Sequence, residues 1–470
     1  MRNTMIRNLA TLVTAASTVA LWTMAPLTGC GGDDKKVEYP KAQVDGGTVD
    51  QGTAVNTDTG QQVGVTGGPD ATSGLTGAAK SAYDKGFQAW MRGDLQGAKA
   101  AFQEAAAADT SSAAPHYSLG CVYDRLGEYS SAQTEYRKAL DAKKDYDLAM
   151  GGYAMSLAAS GHAGEADTFL TDKKAKAPNS PRIATYLAEI KSIEKDSGSA
   201  HQIAQDALRI DPDFKDAMVT IARDHYRSRR MELAKYALQA ILDGFGDVSP
   251  PRDPTNAEAH LIRGLIYKEN GFRAGAFKDF EAAVAKRPDM VEALIQLGVM
   301  KLEAGNSTEA VQLLESATRF APKSALAHLN LGDGYRLAGR PADAKKEFDT
   351  ALSMDSSLAV AHYDLGLLYL FSSNIPGTTA KDQVDVAIKE LNTFKTMRGA
   401  KPPPGQADDV DELINRANAK KAELNLPPPA PPPPPAAAAK PAGAPPAPPP
   451  PPAAAAKPAA SGSGIVRTMP

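Results

Sequence analysis

The sequence predicts an all-α fold: an α-solenoid of about nine two-helix repeats closed by a C-terminal capping helix. Three observations carry this. Small and aromatic residues return with one phase, as at Gly86, Ala98, Phe102 and Ala105 and again at Gly120, Ala132, Tyr136 and Ala139, 34 positions later in each case. Within a unit such as Ala257–Pro288, apolar residues fall at helical spacing on two segments separated by a short turn. Prolines at 178, 212, 288 and 322 close successive units, where a helix cannot continue. A period of this length marks units that bury their apolar faces only by stacking, so the 470 residues give no domain count by the usual length argument.

Taken in order, repeats one to five occupy 79–246. The first two carry the residues above, the third Ala154, Ala166 and Leu170, the fourth Ala188, Ala200, Ala204 and Ala207, and the fifth Ala222, Ala234, Leu238 and Ile241. Ala in place of Gly keeps the helix crossing small. Extra residues then break the phase at 247–256, around Ser249-Pro250-Pro251, and predict a loop that could hinge an arm of five repeats against an arm of four. Repeats six to nine span 257–397. The last has a lengthened turn, Ser372 to Asp382, before Ala387, Leu391 and Phe394. Residues 398–426 hold the capping helix, apolar at Val410, Leu413, Ile414 and Ala417 and charged behind.

The flanks differ in composition. Residues 31–78 are rich in Gly, Thr, Asp and Gln and predict a flexible tether, about 40 Å in coil dimension. From 427 to 470 the chain is Pro/Ala-rich, with APPPPPAAAAKPA occurring twice; it predicts a disordered, polyproline-like spacer. The sharper reading makes it a ligand for a partner's groove or a basic arm on cell-wall polymer. Net charge is −3 and no block of like charge runs through the repeats, which argues against nucleic acid as a partner.

The order Gly in the first helix, Ala-x3-Phe-x2-Ala in the second, then Pro, resembles the tetratricopeptide repeat, over about residues 79–397. The resemblance implies a concave face lined by the second, fifth, ninth and twelfth residues of each unit. In the C-terminal half it nominates a largely apolar groove of Leu261, Leu265, Lys268, Ile295, Val299, Leu302, Leu329, Asp333, Arg336, Tyr363, Leu367 and Leu370. Such a groove suits an amphipathic helix or extended segment of another protein, and packing between neighbouring helices is the competing role for each residue. The Lys/Asn/Arg set that clamps chaperone C-termini is approached only by Asn330 and scattered basic residues, which argues against such a clamp.

Residues 1–29 have a basic start at Arg2 and Arg7 and an apolar run from Leu9 to Met24, and predict a signal peptide. Leu27-Thr28-Gly29-Cys30 resembles the lipobox of bacterial lipoproteins, which implies lipidation of Cys30 and an anchor in a membrane; an ordinary cleavage site beside an incidental Cys is the alternative. Gly31 and Gly32 after it favour the periplasmic side of the outer membrane. Cys121 then has no disulfide partner and reads as a packing residue.

No motif for hydrolysis, nucleotide binding or metalloprotease chemistry is present, and the sequence predicts neither an enzyme nor a cofactor. His116, His260, His328 and His362 share one place in their repeats, too far apart to ligate one metal, and read as packing residues. Repeats and lipobox together resemble outer-membrane repeat lipoproteins, in layout that of the myxobacterial adventurous gliding motility machinery. That implies an envelope scaffold. A pilotin-like assembly factor for a secretin or type IV pilus is the second reading, and an activator of a peptidoglycan enzyme the third.

Overall fold

The structure is a computed structural model that describes residues 54–56, 61–63, 74–247, 249–372, 375–399 and 409–425. The predicted signal peptide, Cys30 and the Pro/Ala-rich tail lie outside the described residues. Among the described residues nineteen helices follow one another in a compact unit that ends at Leu424. Repeats one to three pair α1 (Gly77–Met91) with α2 (Leu95–Ala108), α3 (Ala113–Arg125) with α4 (Tyr129–Ala142), and α5 (Asp147–Ala159) with α6 (Ala163–Lys176). Repeats four to six pair α7 (Pro181–Ile193) with α8 (Ser197–Ile210), α9 (Lys215–Arg227) with α10 (Met231–Leu242), and α11 (Ala257–Glu269) with α12 (Arg273–Lys286). Repeats seven to nine pair α13 (Val291–Glu303) with α14 (Ser307–Phe320), α15 (Ala325–Leu337) with α16 (Pro341–Met354), and α17 (Ala359–Phe371) with α18 (Ala380–Arg398). The capping helix is α19 (Val410–Leu424), with Val410, Leu413 and Ala417 buried as its apolar stripe predicts. In the stretch read as a tether, β1 (Ala54–Asn56) pairs antiparallel with β2 (Gln61–Val63), a ribbon the composition did not announce.

The periodic residues are the contact between the helices of each pair. A side chain of the second helix fills the space left by a small residue of the first. A Cβ added to Gly86, Gly120, Gly264 or Gly332 would lie 2.6–2.7 Å from the ring of Phe102, Tyr136, Phe280 or Phe348. Gly298 and Gly366 face Leu314 and Leu391 in the same way, and all six partners are fully buried. Where the small residue is Ala154, Ala188 or Ala222, the residue 16 positions on is Leu170, Ala204 or Leu238, smaller than a ring. The pair conserves volume at close-packed density.

The turn inside a repeat needs one left-handed residue. Gly93, Gly127, Gly161, Gly271, Gly305 and Gly339 supply it, but repeats four and five place Lys195 (φ 68°) and Arg229 (φ 60°) there. A side chain in that region costs roughly 1–2 kcal/mol. Lys195→Gly is therefore expected to raise stability by about 1 kcal/mol in urea unfolding, the entropy of glycine offsetting part of the relief.

The inserted segment is no hinge. Its backbone returns to the open end of α10, with Arg252 N donating to Ala240 O (3.3 Å) and Asp253 N to Ile241 O (2.8 Å). Val219, Ala222, Leu238 and Ile241 of repeat five form one buried cluster with Ala259, Ile262 and Ile266 of repeat six. Packing is continuous across the phase break, because the loop lies to the side of the stack and leaves the helices in register.

One contact could not have been read from the repeat. Arg125, at the end of α3, is buried against the turn between α12 and α13. It donates to Asp289 O (3.3 Å), to Asp289 Oδ2 (3.4 Å) and to Phe320 O (3.4 Å). Arg287 holds the same carboxylate at 3.0 Å. Beside it, a Cβ on Gly93 would come within 3.2 Å of Arg319. The turns of repeats one and two thus meet those that follow repeats six and seven. The curve of the stack brings the chain back onto itself.

Candidate protein-binding face

Successive first helices touch one another: α3 with α5, α5 with α7, α7 with α9, α9 with α11, α13 with α15 and α15 with α17. No two second helices approach as closely, so the first helices lie on the inside of the curve. The residues nominated for the groove stand on these helices and divide into two sets. Leu261, Ile295, Val299, Leu302, Leu329 and Leu370 are buried, which corrects their reading as open groove surface. The inner radius is small, and side chains there pack on neighbouring helices; Leu370 lies under the cap, where Lys420 Nζ donates to its carbonyl at 3.0 Å. Leu265, Lys268, Asp333, Arg336, Tyr363 and Leu367 are half-buried and form the part of the face that a partner can reach.

Polar groups on this face are largely spent on one another. In repeats four to six Arg223 reaches Glu189 of the preceding first helix (2.7 Å) and Glu258 of the following one (2.5 Å), and Arg227 adds a second bond to Glu189 (2.8 Å). Arg182 stands between Asp147 (3.6 Å) and Asp216 (3.4 Å). Lys268 Nζ donates to Gln296 at 2.8 Å, and burial lowers its pKa. At repeats eight and nine, Arg336 Nε donates to Asp333 (2.9 Å), next to Asp364. Burial first, and then the Asp333 charge, raise Asp364 well above the usual carboxylate range, although Arg336 opposes this. Tyr363 donates to Asp409 (2.9 Å), tying the cap to repeat nine. Asn330 turns back into its helix, donating to Leu326 O (2.7 Å).

The four histidines have a more specific role than packing. Each Nδ1 meets a carboxylate of the second helix: His116 with Glu135 (2.7 Å), His260 with Asp279 (2.8 Å), His328 with Glu347 (2.6 Å) and His362 with Glu390 (2.6 Å). The signal was present in the spacing, 19 residues from His to acid in three of the four repeats, and 28 in repeat nine where the turn is lengthened. Burial raises the Asp279 carboxyl, but hydrogen bonds from Arg263 and His260 outweigh it and leave the pKa lowered. These pairs fasten the two helices of a repeat.

Cys121 is fully buried and accepts from Tyr136 Oη at 3.6 Å, and desolvation pushes its thiol up to about 12, so it is an inert packing group as predicted. Its neighbour Asp124 was missed. The carboxylate accepts from Tyr136 Oη (2.7 Å) and Ser156 Oγ (2.7 Å), linking repeats two and three. Burial raises it to about 7, against the pull of those hydroxyls and of Arg125. The folded state thus holds a proton the unfolded chain releases near pH 4, so this group's contribution is full below about pH 4 and lost as pH rises through about 7. Asp124→Asn should gain on the parent chain by about 2–4 kcal/mol between pH 5 and pH 8 in urea midpoints; a difference that stays flat with pH would contradict this.

Comparison with known proteins agrees with this architecture. Residues 113–146 and 269–331 each match a tetratricopeptide-repeat family. No curated protein matches the chain. Among solved structures it is similar to the APC/C hetero-tetramer Cut9–Hcn1, with 16% identity and a TM-score of 0.49 over 68% of this chain and 59% of that one. The chain therefore spans less than two thirds of that protein. It is similar also to the human IFIT1 dimer with PPP-AAAA (15% identity, TM-score 0.39, 76% and 89% covered). A third is pilF of Pseudomonas aeruginosa (21%, 0.31, 48% and 97%). These likenesses concern the fold alone. Residues 113–146 and 269–331 are recognised as tetratricopeptide repeats, and the other helix pairs share their two-helix arrangement.

Proposed function

We propose that the protein is a lipid-anchored scaffold on the periplasmic side of a bacterial outer membrane, whose repeats gather other envelope proteins. The observation that carries the scaffold reading is the inner face of repeats six to nine: half-buried Leu265, Tyr363 and Leu367 beside Lys268, Asp333 and Arg336, an apolar track with fixed charges along it. The anchor rests on Leu27-Thr28-Gly29-Cys30 and the segment before it. Among the described residues no helix is long and apolar enough to cross a membrane. An envelope-spanning machine such as the gliding motility complex is the assembly we favour, because a long array and a proline-rich tail suit a structural joint. A pilotin-like factor for a secretin or pilus is the second reading.

The test of the scaffold is a pull-down from envelope extracts that compares the full chain with a Leu265→Asp, Leu367→Asp variant. Removing residues 257–424 would be a poor control, since it strips Arg125 of its buried partner. Loss of co-purifying proteins at unchanged helicity is the expected result, and an identical set would overturn the reading. Cys30→Ala is expected to move the protein from the membrane to the soluble fraction, and continued tight membrane association would exclude the lipid anchor. A deletion strain that loses single-cell gliding with pili intact supports the first machine, and one that loses secretin multimers supports the second.

A further inference from the structure

We infer that the joint between repeats four and five is an acid-sensitive hinge, at which α8 and α9 part when the facing imidazoles of His201 and His225 take up protons. The apolar core thins at this joint. Every other second helix buries a Phe, a Tyr or a Leu, whereas the buried side chains of α8 are Ala200, Ala204 and Ala207. Ala184, Ala207 and Ala217 form a small cluster of their own, between larger clusters on either side. Little apolar burial is lost when α8 and α9 separate, and local opening is easiest where such burial is least.

Two imidazoles meet across the joint. His201 of α8 and His225 of α9 have ring centroids 5.2 Å apart, with their planes tilted by 38°. His225 is 6% exposed and His201 is half-buried. The Nδ1 of each is buried and has no hydrogen-bond partner among the described residues. This sets them apart from His116, His260, His328 and His362, whose Nδ1 atoms each meet a carboxylate able to hold a positive ring. The remaining histidine, His162, is exposed at a turn.

A neutral imidazole has one N–H and one bare nitrogen, whereas an imidazolium has two N–H donors. His201 Nε2 accepts from the Gln205 amide (2.8 Å), so the neutral ring carries its hydrogen on Nδ1, and a second proton would face a donor. At neither Nδ1 is there an acceptor for a buried N–H, and two positive rings would repel at this distance. The neighbours do not offset this. Burial lowers the His225 pKa, Arg230 and His201 lower it further, and only Asp224 opposes them. Asp224 is itself engaged by Ser197 Oγ (2.5 Å) and Arg230 (2.9 Å). The carboxylates that α7, α10 and α11 bring to this region, Glu189, Glu232, Glu258 and Glu269, each pair with an Arg or Lys, and Arg182 of α7 pairs with Asp216. The unfolded chain therefore takes the proton first as pH falls, so this group's contribution is full above about pH 6.5 and lost below it, the opposite sign to Asp124. Bending at the joint pulls on the contact of Arg125 with Asp289, which spans it.

The experiment is hydrogen exchange of the full chain, read by mass spectrometry at about pH 7.5 and about pH 5, with each rate divided by its intrinsic value at that pH. The expected result is a several-fold rise in acid for peptides of α8 and α9, with no rise in peptides of α6 or α16. A flat ratio, or a rise shared along the whole array, would overturn the inference. His201→Gln and His225→Gln, measured separately, should each reduce the rise at α8 and α9, because glutamine stays neutral. A rise that persists undiminished in both variants would overturn it as well. The pH series of the parent chain stands by itself should a variant fail to fold.

Discussion

Asp289→Ala is expected to cost about 3–5 kcal/mol, because breaking a buried charge pair leaves its partners uncompensated. Asp289, Arg125 and Arg287 are all nearly inaccessible, and the one carboxylate lies between two guanidiniums. Desolvation already lowers Arg125 to about 10, opposed by the Asp289 charge and reinforced by Arg287. Without Asp289 the two cations face each other, and the contact between repeats two and six should open. Small-angle scattering should then show a larger radius of gyration, and urea unfolding an earlier first transition. Arg125→Met is the informative companion. It leaves Asp289 with Arg287 and places an apolar stem near Trp90, so its cost should be much smaller. Equal effects from the two variants, or no change in scattering from Asp289→Ala, would show that the self-contact does not hold the curve.

The second large effect concerns the complementary pair inside a repeat. Phe280→Ala should cost about 3–5 kcal/mol, since the ring is fully buried and fills the space over Gly264. Gly264→Ala should cost about 1–3 kcal/mol by overpacking, its Cβ falling 2.6 Å from the ring. The pairing makes a sharper forecast for Gly264→Ala combined with Phe280→Leu. Repeats three and five already use Ala with Leu, at Ala154–Leu170 and Ala222–Leu238. The double variant should therefore be more stable than the sum of its single changes predicts, with a coupling of about 0.5–3 kcal/mol in a double-mutant cycle. Additive changes would mean that the two positions do not share one space.

Much of this was legible beforehand. The 34-residue phase located the repeats, the lengthened turn of repeat nine agrees with the separation of α17, which ends at Phe371, from α18, which begins at Ala380, and the cap appears at Val410–Leu424. Small residues marked the crossings because only they let two helices approach. The candidate face was less legible. Leu261, Ile295 and Leu329 look alike whether they line an open groove or a closed one, for hydrophobicity does not say which neighbour covers a side chain. Asp124, Glu189 and Arg223 were invisible for a related reason. A charged residue on a helix reads as solvated until its partner on another repeat is known, as with Arg223 between Glu189 and Glu258.

The unit Ala257–Pro288, one helix, a turn and a second helix, was determined by the sequence alone, because its contacts are local and repeat in phase. So were the order of the repeats, the smallness of their crossings and the place of the cap. Only the tertiary structure decided that the inserted loop leaves the stack unbroken, that Arg125 meets Asp289 across 164 residues, and that α13 is closed over on its inner side. Each of these depends on the angle between successive repeats summed over several units. A small rotation per repeat is set by packing too fine to read from residue type, yet its accumulation decides which distant surfaces touch.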